Sequence, residues 1–222
     1  LHRQAEQLAA PLHIVAPLPG NMPLGLAGPH QRINAAVALH AWQALAPRLH
    51  VTPRPDAVAR GLAQAFVPGR LQSVPATDQH PPLLLDGAHN AHGMAALLAH
   101  VRQSGLRPRA AIYSCLGDKD WHPALMLLKR ALGDAPLFIP ALHNERAADA
   151  AQVVAAANAA APANATLLPD VRNALDAVRD LPGDDKAPVI ISGSLYMLAE
   201  FYSLYPHLLE QSASARGAKE DA

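Results

Sequence analysis

The sequence feature that most constrains the fold is an alternation that begins near residue 67 and continues to about residue 205. Short apolar runs such as PLLLDG, RAAIYSCLG and PVIISGS are each followed by a longer segment with apolar residues at helical spacing. Apolar strands that alternate with amphipathic helices are typical of a mostly parallel sheet covered on both faces by crossover helices. The pattern predicts an α/β domain with a doubly wound sheet of about six strands, in which RLQSVP is a short opening strand paired with PLLLDG.

The first 66 residues follow a different rhythm and predict helices without a sheet. QRINAAVALHAWQAL predicts a helix from Gln31 to about Leu45, with Ile33, Val37 and Trp42 on its apolar face. A shorter helix is predicted in PRPDAVARGLAQAF, and the Pro- and Gly-rich residues 11–30 leave room for one short strand at most. The VPGR turn then breaks the helical pattern, so we expect a domain boundary near Val67.

Composition excludes several classes of protein. Lys and Arg together number 18, as do Asp and Glu, so no net charge attracts nucleic acid or an anionic membrane. No run approaches the roughly 18 apolar residues of a membrane span. The one cysteine, Cys115, lies in an apolar run, which predicts a buried structural thiol and a reducing, cytoplasmic location rather than a disulfide framework.

Polar residues follow four of the predicted strands at the point where each strand ends. In open parallel sheets, ligands bind outside the carboxyl ends of the strands. The sequence therefore predicts a ligand site at this edge of the sheet. Its members are the segments Asp86 to Asn90, Gly117 to Asp120, His143 to Arg146 and Ser192 to Ser194.

Local sequence leaves the role of each polar residue open. Asp86 or Asn90 could cap the helix that starts near Ala91, or Asp86 could bind a ribose hydroxyl or a cation. His89 and His92 are three residues apart and could bind zinc with Asp86, but no other helix offers complementary ligands, so a metal site is disfavoured.

Two residues outside that stretch have similar alternatives. Arg70 follows a turn, where it is either a solvated charge or a ligand for phosphate or carboxylate. Asn34 lies in the first turn of its predicted helix, where capping is the simpler interpretation.

Taken together, the motifs GLAGPHQRINAAVALHAW, FVPGRLQ, LLLDGAHNAHG, LGDKDWHPAL and ISGSLYMLAEF resemble, in order and spacing, the back half of folylpolyglutamate and dihydrofolate synthases. These enzymes belong to the Mur ligase superfamily, and the resemblance spans residues 1 to about 205. One departure is Ala91, where many relatives have proline after DGAHN.

The resemblance implies roles for matched residues. Asn34, Arg70 and Asp86 are expected to contact the nucleotide, with Asp86 at the ribose, and His89 to lie near the reacting phosphate or the incoming amino acid. Lys119 and Ser194 are expected to face the site and to help hold glutamate.

The implied reaction is ATP-dependent amide formation through an acyl phosphate, with folate or dihydropteroate and L-glutamate as substrates. The chain has no glycine-rich loop ending in GKS or GKT, which holds the nucleotide phosphates in such enzymes. The Mg²⁺ ligands are likewise expected upstream. We therefore interpret residues 1–66 as the tail of a central ATP-binding domain, residues 67–207 as a Rossmann-like C-terminal domain and residues 208–222 as a disordered tail.

The chain alone is accordingly expected to be inactive, and the parent ligase to be a monomer. Two alternatives remain open at this point. One is a cell-wall ligase that adds an amino acid to a nucleotide-linked muramyl peptide, and the other is a non-catalytic α/β binding domain. HQ in the first motif and GSLY in the last favour the folate branch.

Overall fold

A computed structural model describes residues 1–182 and 186–210 of the chain. It divides into two compact units between Ala65 and Phe66, one residue before the predicted boundary. None of the helices in these residues is long and apolar enough to cross a membrane.

The first unit is helical, as predicted. It contains α1 (His2–Gln7), α2 (Gln31–Leu45), a 3-10 turn (Ala46–Leu49) and α3 (Pro55–Gln64). Between α1 and α2 the chain has no regular structure, and the guanidinium of Arg32 holds this segment by donating to the carbonyl oxygens of Gly20 (2.7 Å) and Met22 (3.1 Å).

The predicted apolar face of α2 is not the buried one. Ile33 and Val37 are 49% and 52% exposed, whereas the buried residues of the helix are Gln31, Ala35 and Ala36. Helical periodicity identifies the face of a helix that is suited to burial, but it does not show whether another helix or a sheet covers that face.

The second unit is the predicted α/β domain. Its six-stranded sheet has the order β1-β2-β6-β3-β4-β5, and only β1 runs antiparallel to its neighbour. The strands are β1 (Gln72–Val74), β2 (Leu83–Asp86), β3 (Ala110–Tyr113), β4 (Leu137–Pro140), β5 (Ala165–Leu168) and β6 (Val189–Ser192). The helices are α4 (Ala91–Gln103), α5 (His122–Leu132), α6 (Ala150–Asn158), α7 (Val171–Arg179) and α8 (Leu195–Leu204), followed by a 3-10 turn (Pro206–Leu209).

Helices cover both faces of the sheet. Leu85, Ile112 and Ile191 pack with α7 and α8 in one apolar cluster. Neighbouring strand residues point to opposite faces, so the equally buried Leu84 and Ile190 face the other layer, where α4, α5 and α6 pack in sequence. The sheet is therefore doubly wound, as the sequence predicts.

The domain extends beyond the predicted limit at residue 207. Leu208, which was assigned to the tail, is partly buried against the core formed with α7 and α8. Burial of an apolar residue of the closing 3-10 turn against that core is favourable. The sequence does not indicate this burial, because the residues that follow are polar. Residues 211–222, the remainder of the predicted tail, lie outside the described residues.

Candidate functional site

Three neighbouring strands end side by side at one edge of the sheet. Ser192, the last residue of β6, pairs with Asp86 at the end of β2 and with Tyr113 at the end of β3. The loops that follow these strands therefore start from one line, and this is the edge where parallel sheets bind ligands.

Asp86 is bonded to the backbone on both sides of its carboxylate. Oδ2 accepts from the N–H of Leu71 and Oδ1 from the N–H of Ala88, each at 2.9 Å, and the residue is 8% exposed. A carboxylate oxygen can accept more than one hydrogen bond, so these two bonds do not by themselves exclude a ribose hydroxyl as a donor. The first role that the structure gives Asp86 is nevertheless to join the turn before β1 to the turn after β2.

The same two turns meet through a second bond, which places Arg70 beside the β2–α4 turn. The N–H of Gly87 donates to the carbonyl of Gly69 at 2.9 Å. Gly69 and Leu71 both have positive φ, 67° and 47°, so the chain bends sharply around Arg70. A methyl group added at Gly87 would lie 3.7 Å from Nη1 of Arg70.

Arg70 is a partly buried cation whose N–H donors are not used by other groups of the described residues. Across residues 1–182 and 186–210 its guanidinium makes no hydrogen bond or ion pair. A guanidinium has five N–H donors in a planar fork that matches phosphate and carboxylate. Its position over the β2–α4 turn makes it a candidate anion ligand.

His89 is oriented by a backbone bond. Its Nδ1 lies 2.9 Å from the carbonyl oxygen of Gly87, and because a carbonyl only accepts, Nδ1 carries a proton. The ring is partly exposed, and Nε2 is the nitrogen left to exchange a proton or a hydrogen bond with a ligand.

Capping of α4 belongs to Asn90, not to Asp86. Oδ1 of Asn90 accepts from the N–H of Gly93 at 2.8 Å. His92 is exposed in the first turn of the same helix. In the described part of the chain no three His, Cys, Asp or Glu side chains are grouped to hold a metal ion, which gives the disfavoured zinc interpretation no support.

The turn after β6 is packed against the neighbouring strand ends. Gly193 has φ of 119°, and a methyl group there would lie 2.3 Å from the carbonyl oxygen of Ser114. Its N–H donates to the carbonyl of Ala88 at 3.0 Å, which ties this turn to the one after β2. Ser194 is 2% exposed, and its Oγ caps α8 by accepting from the N–H of Met197 at 3.0 Å. Its expected contact with glutamate therefore stays a prediction, and the structure assigns its hydroxyl another partner.

A cation that the sequence reasoning did not single out lies on the same edge. Arg146, in the loop after β4, pairs with Asp118 at 2.5 Å, and its Cζ lies 5.8 Å from the ring centroid of Tyr196. This bond holds the pKa of the Asp118 carboxyl below its usual range. Lys119 is exposed beside Asp118, as its predicted role requires. Arg146 could have been proposed from its place in HNER, one of the four polar strand ends.

Asn34 lies in the first unit, and Arg70 and Asp86 lie in the second. Its side chain is exposed and donates through Nδ2 to Oε1 of Gln31 at 2.9 Å. His30 is the N-cap of α2, so the simpler interpretation of Asn34 as a capping residue is wrong. The amide oxygen of Asn34 can accept a bond from a ligand.

Fold and site together define a class: an α/β domain with a Rossmann-like sheet whose carboxyl edge carries cations suited to an anionic ligand. Residues 69–195 match the family model described as Mur ligase, glutamate ligase domain, which is more than half of the chain. The chain therefore belongs to the Mur ligase family through its glutamate ligase domain.

Known relatives agree with this assignment. The chain is 36% identical over 107 residues to a dihydrofolate synthase/folylpolyglutamate synthase of Bacillus subtilis, covering 47% of this chain and 24% of that protein. It is 28% identical over 185 residues to a folylpolyglutamate synthase of Lacticaseibacillus casei, covering 78% of this chain and 37% of that protein.

A solved structure agrees as well. Folylpolyglutamate synthase of Mycobacterium tuberculosis, complexed with ADP and AMPPCP, superposes with a TM-score of 0.72 at 27% identity. The match covers 83% of this chain and 42% of that one. The chain thus spans between 24% and 37% of the length of the two curated relatives.

Proposed function

We propose that this chain supplies the glutamate ligase domain of an ATP-dependent ligase of folate metabolism, which adds L-glutamate to dihydropteroate, to a folylpolyglutamate, or to both. The family match and the names of its relatives support the reaction class. The ligase acts as a cytoplasmic monomer on small-molecule substrates.

The observation that carries the proposal is the arrangement of Arg70 over the β2–α4 turn. Two backbone-mediated bonds, from Leu71 to Asp86 and from Gly87 to Gly69, fix the turn that bears this guanidinium. A protein gains little by fixing a partly buried cation that has no carboxylate partner in the described residues, unless the cation receives an anion from outside. The phosphates of ATP fit that requirement.

The chemistry explains why a nucleotide is needed. A carboxylate and an ammonium group do not condense at neutral pH, because the carboxylate has no leaving group. In the proposed reaction a carboxylate oxygen of the folate substrate bonds to the γ-phosphorus of ATP and ADP leaves. The deprotonated amine of L-glutamate then attacks the acyl carbon, and phosphate leaves as the amide forms.

The residues of this chain contribute orientation and charge. Arg70 binds a phosphate oxygen, and its charge stabilises the negative charge that moves during transfer. His89, whose Nδ1 is held by the carbonyl oxygen of Gly87, takes part through Nε2 in binding the phosphate or the amine. Asp86 and Asn34 offer acceptors for the nucleotide, and Asp86 also holds Arg70 in place.

The described residues do not provide a complete nucleotide site. They include no grouped carboxylates for Mg²⁺, and the chain has no GKS or GKT loop. We propose that residues 1–66 are the end of an ATP-binding domain whose remainder holds Mg²⁺ and the phosphates. The 222-residue chain alone is then inactive.

Arg70→Gln in the complete ligase tests the proposal. We expect the KM for ATP to rise about 10- to 100-fold, because a hydrogen bond to a charged group contributes about 1.5–3 kcal/mol. The melting temperature should stay within about 2 °C, because the variant breaks no bond among the described residues. The assay is glutamate-dependent phosphate release with dihydropteroate or tetrahydrofolate.

The matched control is Arg179→Gln, an exposed arginine at the far end of α7, which should leave both quantities unchanged. An unchanged KM for ATP in Arg70→Gln would remove Arg70 from the nucleotide site. Phosphate release by the isolated 222-residue chain would contradict the proposal that this chain is inactive alone.

A further inference from the structure

The turn that carries Arg70 is held from a further side by the side chain of Gln72, the first residue of β1. Oε1 of Gln72 accepts from the N–H of Gly69 at 2.9 Å. The carbonyl of Gly69 is bonded to the β2–α4 turn, and the N–H of Leu71 is bonded to the carboxylate at the end of β2. The peptide groups on both sides of Arg70 are therefore fixed, and Gln72 supplies one of the three bonds that fix them.

The amide of Gln72 is itself held by two other parts of the domain. Its Oε1 also accepts from the hydroxyl of Tyr202 on α8 at 2.6 Å, and its Nε2 donates to the carbonyl oxygen of Leu208 in the closing 3-10 turn at 2.9 Å. Burial raises the pKa of Tyr202 to about 12, so the hydroxyl keeps its proton and donates at neutral pH. Because Oε1 meets two donors and Nε2 meets an acceptor, only one orientation of the amide satisfies all three partners.

The main chain of Gly69 is packed against α8 as well as bonded to Gln72. Gly69 is buried and has φ of 67°, and a methyl group there would lie 2.3 Å from Cδ1 of Leu198. A buried N–H that loses its acceptor is costly, so the turn is stable only where the Gln72 amide can reach it. The conformation of the turn thus depends on where α8 and the closing 3-10 turn hold that amide.

The direction of the Arg70 guanidinium depends on this turn, because its side chain makes no hydrogen bond or ion pair across residues 1–182 and 186–210. We propose that Gln72 is a positioning residue for Arg70, which passes the placement of α8 and of the closing turn on to the guanidinium. The inference rests on the proposed function and deepens it, because a ligand-binding side chain is effective only when supporting hydrogen bonds hold it in the productive geometry.

The test is Gln72→Met in the complete ligase, a substitution of similar size that removes the amide, measured alone and together with Arg70→Gln. We expect Gln72→Met to raise the KM for ATP at least about threefold when Arg70 is present and less than about 1.5-fold in the Arg70→Gln background, because substitutions that act through one contact are not additive. The assay is glutamate-dependent phosphate release over a series of ATP concentrations.

Asn158→Leu is the matched control for a loss of stability. Asn158 is another partly buried amide that bonds to backbone: its Nδ2 donates to the carbonyl of Ala165, and its Oδ1 accepts from the N–H of Ala165, each at 2.9 Å. These bonds lie at the start of β5, at the opposite edge of the sheet from Arg70. Asn158→Leu should lower the melting temperature and leave the KM for ATP unchanged.

A milder variant keeps the test decisive if the Gln72→Met ligase does not fold. Tyr202→Phe removes one hydroxyl from the Gln72 amide and keeps the ring that packs in the core. It should raise the KM for ATP less than Gln72→Met does, and again only when Arg70 is present.

The outcomes separate this inference from the proposed function. If the KM for ATP does not rise in these variants, or rises by the same factor with and without Arg70, Gln72 does not act through Arg70. The proposed function still stands in that case, provided that Arg70→Gln alone raises the KM for ATP. An Arg70→Gln ligase with an unchanged KM for ATP overturns both.

Discussion

At the scale of single residues, Asp86 is defined by its backbone partners. It holds the turn of Leu71 to the turn of Ala88. Arg70 lies in sequence between Leu71, which donates to Asp86, and Gly69, which accepts from Gly87. In the proposed nucleotide site, Asp86 would therefore act partly by holding the turn that carries Arg70. This makes Asp86 a positioning residue as well as a candidate ligand.

Asp86→Ala is expected to destabilise the second unit by about 2 kcal/mol or more. It leaves two buried N–H groups without acceptors, and each such group costs about 1–3 kcal/mol. Urea unfolding of the chain, followed by far-ultraviolet circular dichroism, measures the change. Asp134→Ala, at an exposed position between α5 and β4, is the matched control and should have little effect. Equal stability of Asp86→Ala and wild type would contradict the anchoring role.

Part of this site could be predicted from the sequence and part could not. An aspartate at the end of an apolar strand lies at the ligand edge of a parallel sheet, which placed Asp86 and His89 together. The bond from Leu71 to Asp86 could not be predicted, because it depends on a non-glycine residue with φ of 47°, which L residues seldom adopt. The pairing of Arg146 with Asp118 depends on how two loops approach, and neither loop alone predicts it.

At the scale of elements, the polar residues that begin the helices of the second unit have mainly capping roles. Asn90, Asp149, Asp170 and Ser194 each accept a hydrogen bond from the first turn of the helix that follows. A polar residue after a strand is thus as consistent with a helix cap as with a ligand contact. The position of such a residue at the sheet edge does not distinguish a cap from a ligand contact, whereas the group to which its side chain is hydrogen-bonded does.

Ser194 offers a direct comparison of the two roles. If its hydroxyl only caps α8, Ser194→Ala should lower the free energy of unfolding by about 1 kcal/mol, and Ser194→Gly by a few tenths, because glycine is tolerated as an N-cap. In the complete ligase neither variant should change the KM for L-glutamate, since the side chain is 2% exposed. A similar rise in KM for both variants would instead support contact with the substrate.

At the scale of the whole molecule, the two units differ in how much they bury. Every residue of β2, β3 and β6 is buried, whereas α1 and α3 contain no buried residue. The alternation in the sequence predicted this sheet and its helices because both layers of the second unit lie within the chain. The apolar face of α2 is exposed in the first unit, because helical periodicity does not depend on a covering layer.

Native-state hydrogen exchange should therefore separate the units. We expect the amides of β2, β3 and β6 to exchange most slowly, at rates set by global unfolding of the domain, and those of α1 and α3 to exchange at least about tenfold faster. Mass spectrometry of peptic peptides from the intact chain measures this difference. Equal protection of α3 and β6 would show that the first unit is stabilised to the same extent as the sheet.

The place of β6 between β2 and β3 also has a consequence for synthesis. Strand β6 is the last of the six to leave the ribosome, yet in the sheet it lies between β2 and β3. These two strands therefore lack their common partner while more than half of the domain is synthesised. The unpaired backbone N–H and C=O groups on one edge of each of these apolar strands are exposed to other chains during that time. Slow translation of the segment before β6 would lengthen this exposure, and chaperones would have their greatest effect there.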